Sequence, residues 1–294
     1  MSSILRWLLR LGGGLVALLI GLASVLYVLG SQAVNRTYEP TVQPVALSTD
    51  SATLAHGEHL SRVLGCYDCH GDRLQGTVMD NAPPVRVAAP NITPAGVVAD
   101  YSTKDWFRAL RHGLDPNGRA LVSMPSSAFN HLSDADAAAL IAYLKSVEPV
   151  EREVPPTTVK PVGRVLTGLG AFDPAAEVRL GLERPRTVPR DNTIAFGRYL
   201  TSIACQHCHG PSLHGQPSPN PSAPYAPSLA GAGTWTFETF ETLMRTGVTP
   251  AGDTLNPKHM PWSAFRHHTD VELRALHEYI GTLSTSDSEP SAGR

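Results

Sequence analysis

Leu11 to Gly30 is a run of twenty residues without a charge, and no later segment stays apolar for as long. As a helix rising about 1.5 Å per residue it would be roughly 30 Å long, the thickness of one bilayer core. Arg6 and Arg10 precede the run and no basic residue follows it until Arg36. The positive-inside rule therefore puts the N-terminus in the cytoplasm and the remainder outside. Ser31-Gln32-Ala33 also supplies small residues where a signal peptidase needs them, so a cleaved secretory signal is the alternative. The length of the run favours an uncleaved transmembrane anchor over residues 1–33, and either reading exports the body of the chain.

Beyond the anchor the apolar positions fall into short helical stretches that occur twice. Gly57-Glu58-His59-Leu60 and Gly197-Arg198-Tyr199-Leu200 lie in segments whose spacing suits one helical face. Middle helices are predicted over 104–112 and 237–246, each stopped by a glycine, Gly113 or Gly247. Ser133-Asp134-Ala135-Asp136 and Thr269-Asp270-Val271-Glu272 read as N-caps with a carboxylate three residues on, each opening a closing helix that carries Leu140 and Tyr143 or Leu276 and Tyr279. The duplication extends to the motifs. Cys66-Tyr67-Asp68-Cys69-His70 in the first half recurs as Cys205-Gln206-His207-Cys208-His209 in the second. The stretch Met124-Pro125-Ser126-Ser127-Ala128-Phe129-Asn130-His131 recurs without a gap as Met260-Pro261-Trp262-Ser263-Ala264-Phe265-Arg266-His267.

This pattern divides the chain into the anchor, a spacer over 34–51, a helical domain over 52–149, a Pro-rich linker over 150–191, a second helical domain over 192–283 and a Ser-rich disordered tail over 284–294. The linker is too long for an ordinary loop, and the sequence leaves open whether it straps across both domains or floats free. Gly and Pro, 25 residues each, predict short helices tied by irregular segments. A formal net charge of −2 gives no basic footprint for nucleic acid.

All four cysteines lie in the two C-x-x-C-H motifs. Two thiols about one helical turn apart, followed at once by a histidine, are the spacing for covalent haem c: Cys66 and Cys69, or Cys205 and Cys208, add to the vinyl groups of one porphyrin, and His70 or His209 reaches its iron. The competing readings are a thioredoxin-like redox pair, a four-cysteine zinc site and two disulfides; none of them uses the two histidines.

For the opposite face of each iron, Met124 and Met260 stand at matched positions well downstream of His70 and His209, each before a proline. A thioether there completes His/Met ligation, which raises the reduction potential. Met244 sits at the register of Leu110 and reads as packing, whereas Met79 has no partner in the second repeat. His131 and His267 are a matched pair and the alternative ligands. His59 aligns with Tyr199 as a helix-face residue, and Trp106, Trp235 and Trp262 read as core or haem-edge donors. No nucleophile, base and oxyanion donor come together in the pattern.

Pro90-Asn91-Ile92-Thr93-Pro94, Asp105-Trp106-Phe107, Leu110-Arg111-His112-Gly113, Met124-Pro125 and Leu132-Ser133-Asp134-Ala135-Asp136 with Ala142-Tyr143-Leu144 together resemble bacterial membrane-associated class I cytochromes c. The nearest likeness is to the cytochrome subunits of periplasmic alcohol, aldehyde and related dehydrogenases. The resemblance covers about 52–149 and 192–283. It implies an all-α fold of two tandem cytochrome c domains, two haems c with His70 and Met124 or His209 and Met260 at iron, and a single-pass protein of the inner membrane with its domains in the periplasm. Electrons would come from a dehydrogenase or respiratory complex and leave to a downstream cytochrome or terminal oxidase. Many such subunits carry three haem motifs where this chain has two, and the second repeat reads Ala226-Pro227-Ser228-Leu229 in place of the Asn-Ile-Thr-Pro segment. A dihaem peroxidase and a haem-based sensor or adaptor are the alternatives. The matched methionines oppose the first, since it needs an open iron.

Overall fold

A computed structural model describes residues 3–181, 184–218 and 223–283; the expected disordered tail lies outside the described residues. Helix α1 (Ser3–Val34) contains the apolar run and carries it through Ser31-Gln32-Ala33 without a break. It is long and apolar enough to cross a membrane. The first repeat comprises α2 (Ser51–Val63), α3 (Cys66–His70), strands β1 (Thr77–Asn81) and β2 (Val85–Ala89), α4 (Thr103–His112), α5 (Ser126–Phe129) and α6 (Asp134–Ser146). Strand β3 (Thr158–Val159) and α7 (Pro161–Gly168) follow, and then the second repeat: α8 (Ile194–Ala204), α9 (Gln206–His209), α10 (Phe237–Thr246), α11 (Trp262–Phe265) and α12 (Asp270–Gly281).

The opening and closing helices of each repeat cross in contact, α2 on α6 and α8 on α12. Glycine makes both crossings possible: a Cβ on Gly57 would lie 2.1 Å from the Ala139 carbonyl oxygen, and one on Gly197 would lie 1.9 Å from that of Ala275. The middle helices end where the sequence places them, with Gly113 and Gly247 in the left-handed region at φ 67° and 73°. Leu60, Phe107, Leu140 and Ile141 of the first repeat and Phe196, Phe240, Leu273 and Leu276 of the second belong to one continuous core.

The all-α expectation needs correction. β1, β2 and β3 form a small antiparallel sheet with β2 in the middle, Val85 opposite Val159 and a bulge between Val78 and Asp80. Pro83 and Pro84 exclude a helix there, and the flanking Val and Thr residues suit a pleated ribbon. The third strand comes from the 150–191 segment, which is not loose. Asn91 Nδ2 donates to the Val150 carbonyl at 2.7 Å, His112 Nδ1 donates to that of Arg179 at 2.6 Å, and Arg184 Nε reaches Asp134 at 2.6 Å.

The two repeats grip each other reciprocally. α2 of the first touches α11 of the second, and α8 of the second touches α5 of the first. His59 Nε2 lies 2.9 Å from both oxygens of Glu272, and the aligned Tyr199 donates its hydroxyl to Asp136, the residue matching Glu272. The expected caps differ in detail for this reason. Thr269 and Glu272 make a complete capping box, but at α6 the Ser133 N–H donates to the Tyr199 hydroxyl at 3.0 Å, so the other repeat supplies the missing half.

Both carboxylates are held low. Burial alone would raise Asp136, yet hydrogen bonds from His56 and Tyr199 and the charge of Arg190 outweigh it and hold the carboxyl below its usual range. Burial opposes ionisation of Glu272 too, and hydrogen bonds from His268 and His59 pull it far below. A depressed folded pKa contributes stability that is present above the unfolded value, about 4, and is lost as pH falls through the folded one. Tyr199→Phe, which strips a donor from the buried Asp136 and an acceptor from the Ser133 N–H, should cost about 1–3 kcal/mol at pH 7. Denaturant unfolding of the haem-loaded chain at pH 7 and pH 3 measures this. An unchanged stability at pH 7 would remove Tyr199 from the junction's energetics.

Candidate haem-binding sites

The same local construction is built twice. After each C-x-x-C-H turn the chain runs through a glycine, then a buried leucine in the left-handed region, Leu74 at φ 60° or Leu213 at φ 62°. It closes with Gly76 N–H donating to the His70 carbonyl at 2.7 Å, or Gly215 N–H to that of His209 at 2.9 Å. A non-glycine residue at positive φ is strained, and finding the strain at both equivalent positions marks a geometry the site requires. The loop then aims a proline carbonyl at the histidine. His70 Nδ1 donates to the Pro90 carbonyl and His209 Nδ1 to that of Pro227, both at 2.8 Å.

That hydrogen bond decides the ring's chemistry. With the proton on Nδ1, the lone pair is on Nε2, which is the form and orientation of a ligating imidazole. Burial pushes both histidines toward neutrality, against the smaller opposing effect of the proline carbonyls. Burial likewise pushes the Cys66 and Cys205 thiols up to about 12, helped by the neighbouring Cys69 and Cys208 sulfurs. All four cysteines are free thiols, and among the described residues no group of three or more His, Cys, Asp or Glu could hold a metal ion.

Met124 and Met260 are half-buried and pack against the core. Each opens the same turn, with Pro125 at φ −76°, ψ 54° and Pro261 at φ −79°, ψ 58°. Beyond each turn an arginine of the middle helix ties that helix to the start of the closing one. Arg111 reaches the Leu132 and Ser133 carbonyls and Asp134, while Arg245 reaches the Arg266 and His268 carbonyls and Asp270. Met244 is buried in the core and Met79 is half exposed at the sheet bulge. His131 and His267 are partly buried, and burial lowers both below the usual imidazole value.

Trp106 is buried with no hydrogen-bond partner for its Nε1–H, and His112 Nε2 is unpartnered too. Orphan polar groups in a core are costly, and an indole donor so placed fits a propionate of a bound porphyrin. Trp262 does not share that geometry, because its Nε1 already donates to the Leu255 carbonyl at 3.0 Å. A half-exposed soft thioether, an imidazole with Nε2 available and two unpaired thiols form a donor set suited to haem c in each repeat.

The attachment motifs also meet the opposite repeat's methionine turn. His207, inside the second motif, lies 3.0 Å from Ser127 Oγ, three residues after Met124, and Ser127 donates in turn to Glu177 of the connecting strap at 2.6 Å. On the other side a Cβ on Gly65, beside the first motif, would lie 3.7 Å from the Ala264 methyl, four residues after Met260. Sequence reasoning missed the Pro90 and Pro227 carbonyls and the left-handed leucines. A repeated signal was present: His-Gly-x-x-Leu-x-Gly at 70–76 and again at 209–215.

The family described as cytochrome c matches residues 54–148, and the family described as cytochrome c oxidase, cbb3-type, subunit III matches residues 192–280. The fructose dehydrogenase cytochrome subunit of Gluconobacter japonicus is 27% identical over 277 residues, covering 85% of this chain and 56% of that protein. The gluconate 2-dehydrogenase cytochrome c subunit of Pantoea cypripedii is 32% identical over 195 residues, covering 58% of this chain and 42% of that protein. The cytochrome c subunit of the quinone alcohol dehydrogenase of Gluconobacter oxydans (strain 621H) is 25% identical over 271 residues, 81% of this chain and 56% of that protein. The chain thus spans about half the length of the curated relatives it matches.

Proposed function

From two cytochrome c domains on one chain, matched at 54–148 and 192–280, we propose a dihaem electron-transfer subunit that serves a periplasmic dehydrogenase and is held at the inner membrane by α1. The observation that carries this reading is the duplicated histidine geometry, Nδ1 fixed on a proline carbonyl at 2.8 Å in both repeats. A haem c bound at each site supplies reversible one-electron chemistry at its iron.

The chain's own residues do the rest. Cys66 and Cys69 would hold one porphyrin, Cys205 and Cys208 the other, His70 and His209 would offer Nε2 to iron, and Met124 and Met260 would each offer a thioether. The reciprocal junction of His59 with Glu272 and Tyr199 with Asp136 keeps the two sites at a constant separation. Each attachment motif abuts the other repeat's methionine turn, which gives electrons a short protein path between sites without domain motion.

A dehydrogenase donor is favoured by the relatives, named as cytochrome subunits of fructose, gluconate and alcohol dehydrogenases. The acceptor is a downstream cytochrome or terminal oxidase. An uncleaved anchor is favoured by Gly30, the buried residue of α1, which packs on α7. Detergent extraction of the tagged full-length chain should bring a dehydrogenase subunit with it. Carbon monoxide should leave the reduced spectrum unchanged, because both irons are closed by methionine. Purification of the chain alone would remove the dehydrogenase partner, and carbon monoxide binding would remove the closed-site carrier in favour of a peroxidase or sensor.

A further inference from the structure

Helix α7 lies antiparallel against the outward end of α1, closely enough to exclude side chains between them. A Cβ on Gly30 would land 1.7 Å from the Arg164 carbonyl oxygen, and one on Gly168 would land 2.1 Å from the Leu26 carbonyl oxygen. These contacts set a depth scale. If Leu11 to Gly30 spans the hydrocarbon core, Gly30 and Arg164 stand at its outer boundary. Leu26, four residues inward, lies about 6 Å below it, and Gly168 falls between the two levels, since a Cβ on Gly30 would lie 2.9 Å from the Gly168 N while one on Gly168 would meet the Leu26 carbonyl.

The segment that reaches this depth is suited to lipid. Residues 161–172 read PVGRVLTGLGAF, with Arg164 as the one charge. That guanidinium sits at the boundary, where a long side chain can turn its head to phosphate and lay its stem along acyl chains. Leu169, the first residue beyond α7, is 59% exposed, and Ala171 is exposed beside it. The first carboxylate, Asp173, comes only after Phe172, where the chain turns back. Along α1 itself the apolar side chains from Leu11 to Leu29 are largely exposed.

We propose that the end of α7 and the turn after it, residues 168–172, dip into the outer leaflet beside α1, so that the haem-bearing domains grip the bilayer at two points and are held in one orientation over it. The proposal rests on the reading of α1 as a membrane span. It commits to lipid as the occupant, because the depth set by Gly30 and Leu26 places these residues at acyl chains before any protein partner could reach them. A single helix would leave the domains free to swivel about the chain after Val34. The α7 contact removes that freedom and fixes which face of each domain looks outward.

The test uses the full-length, haem-loaded chain in phosphatidylcholine and phosphatidylglycerol vesicles that contain a phospholipid with a photoactivatable acyl chain. Irradiation, digestion and mass spectrometry should find phospholipid adducts both within 11–30 and within 161–172. Adducts within 11–30 but none within 161–172 would overturn the proposal and leave the anchor standing. None in either segment would overturn both. Leu169 is exposed and lies outside both attachment motifs and both methionine turns, so Leu169→Asp should keep its full haem stain and its adducts on α1 while losing those on 161–172 several-fold. Undiminished labelling of 161–172 in that variant would overturn the assignment of Leu169 to the leaflet.

Discussion

Replacing Met124 by Ala should open one iron to carbon monoxide and leave the other closed, and the Met124→Ala Met260→Ala double variant should bind two. The weak thioether-to-iron absorption at the red end of the ferric spectrum should decline in each single variant and vanish in the double. Two coincidences support this expectation: the matched repeat positions and a following proline in the same backbone conformation. Met124→His should keep the iron six-coordinate while lowering its potential. Imidazole favours the ferric state more than a thioether does, and axial ligation spans about 0.8 V across haem proteins. Redox titration of the single variants then assigns a potential to each site. Survival of the red absorption in the double variant would transfer ligation to Met79 or Met244, of which Met244 is buried in the core and Met79 half exposed.

The second large effect concerns attachment. The Cys66→Ala Cys69→Ala variant should carry about half the haem per polypeptide, since each porphyrin is stitched within its own repeat. Removal of all four cysteines should leave no covalent haem. Pyridine haemochrome per chain is the measurement, and an unchanged value in the Cys66→Ala Cys69→Ala variant would refute attachment at that motif. The variant lacking haem in the first repeat should also lose stability beyond the lost thioethers, because the Trp106 Nε1–H stays buried without a partner. Denaturant unfolding resolves that loss.

The features of this protein that are legible in sequence are those written in neighbouring residues. A C-x-x-C-H turn, a capped helix start and a glycine stop each depend on groups within four positions, so spacing alone reveals them. The twofold repetition turns single motifs into an architecture. The uncharged stretch from Leu11 to Gly30 is legible for the same reason, because its meaning lies in its length.

What the tertiary structure decided lies in pairs far apart in the chain. Pro90 and Pro227 serve their histidines through backbone carbonyls, which carry no residue signature, and the second repeat reaches the same geometry without the Asn-Ile-Thr-Pro segment. Strand β3 joins β2 from beyond the whole first repeat, pairing Thr158 with Arg86, and no local propensity encodes that pairing. His59 and Glu272 sit in different repeats, and a histidine on a helix face reads the same from sequence whether it meets solvent, core or a carboxylate. The approach of α7 to α1 follows the same logic, since Gly30 and Gly168 mean close packing only once the chain has folded back to bring them together. Periodicity and spacing report which side of an element is apolar; which partner covers that side is a question of three-dimensional closure, and only the folded chain answers it.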